Sequence, residues 1–243
     1  MGEKSVNQIL ITKKLYVTPE LRRKKKWYKF QCAFAILLVC LLFSYYIYAE
    51  YDRTASEEVS QEILAAIQSD STIKKVEEND VIVVAMSEQI EAEPEPIPIV
   101  EEEPVEKKVQ TTSGEYNIEA VLNIPRLEIN YPVLAETSEE LLKISVNKYW
   151  GPAPNEVGNY CIVGHNYKNK TMFGRLNEIT NGDVIELTDN SGRTITYTVY
   201  DRYVVEPTDT RCTSQLTNGK REITLITCTN YGQQRLIVKG REK

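Results

Sequence analysis

A thiol, a guanidinium and the chain's only imidazole set the chemical question. The stretch REITLITCTNYGQQRLIVKG, residues 221–240, runs apolar and β-branched to Cys228, breaks into a polar turn, and resumes at Arg235. Strand side chains alternate faces, so Thr224, Ile226 and Cys228 point one way and Ile223, Leu225 and Thr227 the other. Residues that flank a short loop in an antiparallel pair sit side by side, which makes Cys228 and Arg235 neighbours at one rim of a sheet. Gly232, in the connection from Thr229 to Gln234, supplies a position free to take positive φ. A cation beside a thiol favours the nucleophilic thiolate, and a guanidinium holds a carbonyl oxygen that turns negative during acyl transfer. The missing part is a proton donor for the leaving group, for which histidine is the usual choice near neutral pH. His165 ends the strand-like run NYCIVGHN behind Gly164, and strand ends at a rim are where site residues collect. Nothing in the sequence says that this rim is also the rim of Cys228. Taken singly, each residue has a plainer reading: a buried small hydrophobe for the cysteine, a surface or core residue for the histidine, and an exposed charge for the arginine.

The elements that must position these residues are short strands. IEAVLNIPRLEINYPVLAE is broken by Pro125 and Pro132, which suit strand edges and ends. DVIELTDNSGRTITYTVYDRYVVEP reads as a hairpin with Asn190–Gly192 at its tip and a long second strand. One short helix fits between Glu139 and Val146. Many short strands at this spacing predict an antiparallel barrel or sandwich, and a closed barrel removes exposed edges.

Composition locates that domain. The chain has 243 residues and a net charge of −6, distributed unevenly. Residues 1–29 carry +7, residues 50–115 carry −13, and residues 116–243 are neutral with fifteen charges of each sign. A neutral domain offers no basic face for nucleic acid. The run FQCAFAILLVCLLFSYYIYA, residues 30–49, has no charge, and twenty helical residues span about 30 Å, the thickness of a bilayer core. Arg22, Arg23, Lys24, Lys25, Lys26 and Lys29 precede it, so the positive-inside rule keeps the N-terminus in the cytoplasm and exports the rest. The alternative is a cleaved signal peptide, but the run is long and Ile47 before Ala49 does not make a small-x-small cleavage site. Thr18 and Pro19 form a helix start. Residues 50–80 carry a loose helical pattern of Val59, Ile63, Ala66 and Ile67 that predicts an exposed helix. Residues 88–113 alternate Glu and Pro and read as an extended spacer. Of five cysteines, Cys32 and Cys40 lie in the apolar run, and Cys161, Cys212 and Cys228 leave an odd thiol in an exported domain. The lack of a C-x-x-C pair and the single histidine argue against zinc.

TLITC followed seven residues on by Arg235 resembles the signature of the sortases, the cysteine transpeptidases of Gram-positive cell surfaces. NIPRLEINYPV resembles their first strands, GNYCIVGHN the strand that ends in their catalytic histidine, and FGRLNEITNGDVIEL the segment after it. The resemblance covers residues 116–243, and the anchor and stalk match the family's architecture. It implies an all-β fold, a closed eight-stranded sortase-type β-barrel with short helices, preceded by a single transmembrane helix and an extended stalk. The corresponding domains are a basic cytoplasmic tail (1–29), the membrane anchor (30–49), an acidic extracellular stalk (50–115) and the catalytic domain (116–243). It further implies Cys228 as nucleophile, His165 as general acid/base, Arg235 as substrate and oxyanion ligand, and Thr227 as a substrate-binding residue that shapes the acyl site. The substrates implied are surface proteins with a Leu-Pro-x-Thr-Gly-like C-terminal sorting signal. The acceptor is an amine of a peptidoglycan precursor or a pilin lysine, and no metal or organic cofactor is needed. The long connection 206–222 forms one wall of the substrate groove in the family. Cys212 within it reads as a packing residue, with a regulatory Cys212–Cys228 disulfide as the sharper alternative, and Cys161 reads as core. CTNYGQQR resembles pilus-type and class D-like members, whereas the lack of an Asp-Pro-aromatic lid motif in residues 88–120 favours anchoring over pilus polymerisation. A non-catalytic surface-binding barrel and a hydrolase that uses water as acceptor are the competing readings.

Overall fold

The computed structural model describes residues 19–79 and 107–243. The first eighteen residues, including the Thr18 cap, and the Glu/Pro spacer up to residue 106 lie outside the described residues. The chain divides into two compact units, Met1–Asp52 and Arg53–Lys243. The described part of the first unit belongs to helix α1, Pro19–Asn79. Its apolar stretch exposes Phe34, Leu37, Phe43 and Tyr46, and it is long and apolar enough to cross a membrane.

The second unit is built on one sheet. Its strands are β1 (Lys107–Thr111), β2 (Gly114–Ile124), β3 (Ile129–Leu134), β4 (Val146–Trp150), β5 (Gly158–Val163), β6 (Val184–Asp189), β7 (Thr194–Val205), β8 (Arg221–Thr229) and β9 (Gln234–Glu242). Pairing runs β2-β3-β4-β5-β8-β9-β7-β6 and returns from β6 to β2, so eight strands close into a barrel and β1 extends β2 on its outside. The expected eight-stranded barrel is therefore present, with an added ninth strand.

Two pairings depart from the antiparallel expectation. β3 and β4 are parallel, joined by the short helix α2 (Glu139–Ile144), whose Ser138 cap accepts a hydrogen bond from Leu141 N at 3.1 Å. β5 and β8 are also parallel, because β6 and β7 intervene and bring the chain back to start β8 at the same end. Inside the barrel, alternate residues such as Leu122, Ile162, Tyr160, Leu225, Leu236 and Val238 form the main core. At the far end of the β8–β9 hairpin, buried Glu222 accepts from its register partner Arg241 at 2.6 and 2.8 Å, which pins the pairing that sets the site.

The segment 53–69 of α1 corrects the expectation of an exposed helix. Ile63 and Leu64 are buried, and Ile63 packs in a second cluster with Val109, Ile118 and Leu134. Burying each such side chain contributes about 2 kcal/mol. Polar ties surround the cluster: Glu62 accepts from Thr112 N and Thr112 Oγ1 at 3.0 and 2.9 Å, and Ser60 Oγ donates to Ser145 Oγ at 3.4 Å. The acidic stretch thus holds a packed helix at one end and strand β1 at the other.

Candidate active site

The parallel β5–β8 pair brings His165 to Cys228. Val163 is in register with Ile226, and both strands run the same way toward one rim. One residue on, Gly164 N donates to Ile226 O at 3.2 Å and Thr227 Oγ1 donates to Gly164 O at 2.7 Å. His165 follows at the same rim, where its neighbour Asn166 Nδ2 donates to Cys228 O at 2.9 Å. Gly164 is required where it stands. A Cβ there would lie 2.8 Å from both Phe173 Cδ2 and Val146 Cγ1, inside van der Waals contact.

On the other side of β8, Cys228 is in register with Arg235, and pairing continues to Thr229↔Gln234. The turn between them holds three successive residues at positive φ, Asn230, Tyr231 and Gly232. Arg235 Nη1 donates to Gly232 O at 2.9 Å and to Gln234 O at 3.1 Å, so carbonyls of its own turn steady the guanidinium. The four residues singled out from the sequence therefore come together at one rim. They differ in depth: Cys228, His165 and Arg235 are half-buried, whereas Thr227 is 1% exposed. Thr227 works from beneath, as the hydroxyl tie between the two strands, and has no surface to offer a ligand.

A cavity of about 240 Å³ opens beside Arg235 on the outer face of the barrel. Val163, Ile226, Ile237 and Arg235 line its floor, and Tyr149 and the 207–213 segment wall it. Asn159 fixes that wall: its amide donates to Cys212 O at 2.9 Å and Ser214 O at 3.1 Å and accepts from Thr224 Oγ1 at 2.6 Å. Gln215 adds a two-way clamp on the Asn159 backbone, each bond 2.9 Å. Cys212 is buried against Cys161, Ile226 and Ile237, and all five thiols are free. Burial pushes the Cys161 thiol up to about 12 and raises that of Cys212, so both are inert at neutral pH. Cys161 packs here, outside the barrel, rather than in the central core.

His165 sits in a tight loop. Phe173 N donates to His165 O at 3.0 Å, Asn166 and Met172 form a β-bridge, and Lys170 N donates to Tyr167 O at 3.0 Å. Lys170 and Met172 take φ of 72° and 50°, and each such residue costs about 1–3 kcal/mol. The loop keeps this shape through outside ties. Met172 N donates to Tyr131 Oη at 2.9 Å, and Tyr131 Oη donates to Glu57 Oε1 at 2.8 Å. The Tyr167 ring lies 5.0 Å from the His165 ring, and the Arg53 guanidinium lies 5.0 Å from the Tyr167 centroid. Burial first, and then the Lys143 ammonium, hold the His165 pKa below its ordinary 6.5. Sequence reasoning passed over Lys143, Tyr167, Tyr131 and the two α1 residues. Only Asn166, adjacent to the histidine in GHN, carried a local signal.

A half-buried thiol, an imidazole at the same rim and a guanidinium in register with the thiol form a set able to take an acyl group and protonate its leaving group. Among the described residues no cluster of three metal-ligating side chains occurs.

A sortase domain family model matches residues 122–243. Sortase A of Bacillus anthracis is 31% identical over 127 residues, covering 49% of this chain; the match spans 57% of that relative's length. Among solved structures, sortase C-1 from Actinomyces oris is 30% identical, with a TM-score of 0.47 over 51% of this chain and 71% of that one. Sortase A from Corynebacterium diphtheriae is 29% identical, with a TM-score of 0.49 over 54% and 62%. A Clostridium perfringens sortase D5 transpeptidase is 26% identical, with a TM-score of 0.48 over 52% and 79%.

Proposed function

The chain belongs to the sortase family, and from that premise we propose that it is a membrane-anchored cysteine transpeptidase acting on C-terminal sorting signals. In this reading Cys228 Sγ attacks the carbonyl carbon of a Thr–Gly bond in a Leu-Pro-x-Thr-Gly-like signal. Cys228 passes its thiol proton to His165 as it attacks, the C–N bond breaks, the departing amine takes that proton from His165, and a thioester remains on Cys228. Arg235 holds the carbonyl oxygen while it is negative. An acceptor amine then attacks the thioester, the C–S bond breaks, and the proton the amine loses passes through His165 to Sγ, so the thiol returns. The outer cavity beside Arg235 receives the apolar part of the signal. The helix 30–49 holds the enzyme in the bilayer, with the basic tail in the cytoplasm and the barrel outside. The acceptor is a cell-wall amine of a peptidoglycan precursor.

The observation that carries this reading is the meeting at one rim of Cys228 and Arg235, paired across β8 and β9, with the loop of His165, which leaves the end of β5 and whose Asn166 Nδ2 donates to Cys228 O at 2.9 Å. The test incubates the full chain in detergent micelles with Leu-Pro-x-Thr-Gly peptides, with and without glycine, diaminopimelate-type or lysine amines, and records intact mass. An acyl adduct that is lost in Cys228→Ala and discharged faster by glycine or diaminopimelate is the expected result. Faster discharge by lysine alone assigns a pilin-type acceptor instead, and discharge insensitive to amine assigns hydrolysis. No adduct with any peptide, from a protein whose Cys228 alkylates normally, favours the surface-binding barrel.

A further inference from the structure

The membrane-proximal part of α1 reaches the histidine loop twice, by unrelated chemistry. Arg53, Glu57, Ser60, Ile63, Leu64 and Ile67 recur at helical spacing, so one face of the helix meets the barrel. At the end nearest the apolar stretch this face is polar. Arg53 covers Tyr167, which also meets the His165 ring and packs against the barrel core. One turn on, Glu57 accepts the Tyr131 hydroxyl, which in turn accepts from Met172 N, the residue at φ 50° that closes the loop. One link acts on the ring beside His165 and the other on the backbone that closes its loop.

We propose that Arg53 and Glu57 of α1 are positioning residues of the active site, setting the placement of His165 through Tyr167 and through Tyr131–Met172. Neither touches the reacting atoms. The catalytic unit therefore includes the helix that continues into the apolar stretch, and the barrel alone is an incomplete enzyme. The proposal rests on the transpeptidase reading only for its kinetic readout, because the placement of His165 is measurable without substrate.

The sole histidine makes that measurement direct, since one imidazole signal in an NMR titration of the full chain in detergent belongs to His165. The charged and titratable groups facing it are Lys143 from α2, Cys228 from β8, Tyr167 in its own loop and, across that ring, Arg53 from α1. Arg53→Ala loosens Tyr167 and opens His165 to water, so its pKa moves up toward the ordinary value. Glu57→Gln and Tyr131→Phe, which weaken or remove the second link with little loss of packing, shift it in the same sense. With a cleaved peptide substrate, each lowers kcat about fivefold with little change in KM. Arg53→Lys, which keeps a cation over the ring, recovers most of both effects. Glu58→Ala, exposed on the same helix, serves as the control and leaves both readouts at wild type. The idea is overturned if Arg53→Ala and Tyr131→Phe leave the His165 titration and kcat unchanged. It is equally overturned if Glu58→Ala shifts them as far, which marks a general effect of helix stability. If the wild type turns over no peptide, the transpeptidase reading fails by itself, and the titration still decides the positioning role.

Discussion

Thr227→Val tests whether the hydroxyl tie between β8 and β5 places the histidine. The change keeps the side chain's shape and removes one bond, Thr227 Oγ1 to Gly164 O at 2.7 Å. Both residues are buried, so no water replaces the donor and the Gly164 carbonyl loses that partner. Leaving a buried acceptor short of a donor costs about 1–3 kcal/mol. The extra apolar methyl of valine offsets part of that, leaving about 1–2 kcal/mol. For a folded unit of the size of Arg53–Lys243, each kcal/mol lowers Tm by about 2–4 °C, so the melt drops by about 2–8 °C. The kinetic effect is larger than stability alone predicts. Gly164 is the residue before His165, and a sub-ångström shift in a general acid is enough to reduce kcat by about tenfold. Calorimetry of the full chain and intact-mass acylation kinetics are the assays. Thr227→Ser keeps the hydroxyl and loses a methyl, so it costs stability of similar size while kcat stays within about twofold. The reasoning fails if valine acylates as fast as wild type, or if serine and valine slow acylation equally.

Two further outcomes follow from the same rim. Gly164→Ala drives a methyl against Phe173 and Val146; overpacking of this kind costs about 1–3 kcal/mol, and Phe173→Leu in the same chain restores part of the Tm if the clash is the cause. Lys143→Ala removes the cation that helps hold the His165 pKa down, so the pKa rises toward its ordinary value. The unfolded chain binds the His165 proton more readily than the folded one, so the His165 contribution to stability is full above 6.5 and is lost as pH falls toward the folded pKa. Lys143→Ala shrinks that acid loss, and urea melts across this window read it directly.

The hairpin was legible because its evidence is local. Alternation up to Cys228, a glycine-bearing turn and resumption at Arg235 fix a two-residue register without reference to the rest of the chain, and the pairing Cys228↔Arg235 follows. The helix at Glu139 was legible for the same reason, with Ser138 as its cap. The place of His165 depends on a parallel pairing between strands some sixty residues apart. That pairing exists because β6 and β7 close the barrel between β9 and β2. No periodicity within NYCIVGHN encodes this, and the family resemblance supplied what the pattern lacked.

Helix α1 was misread for a different reason. Burial was inferred from apolar periodicity, and only Ile63 and Leu64 on this face are both large and fully buried. Val59, Ala66 and Ile67 pack beside them, and Arg53, Glu57, Ser60 and Glu62 add polar contacts, residue types that signal solvent when read singly. The apolar stripe of Val59, Ile63, Ala66 and Ile67 is visible in the sequence, but the barrel surface it meets is not, and the polar end of the face carries no hydrophobic signal. Apolar packing at Ile63 holds the helix on the barrel, while the polar end at Arg53 and Glu57 meets the histidine loop, where two residues sit at positive φ. Small changes in hydrogen bonding there move the loop without dismantling the fold. The division of labour along one helix, apolar for attachment and polar for placement, puts the control of His165 on the segment that leads to the apolar stretch.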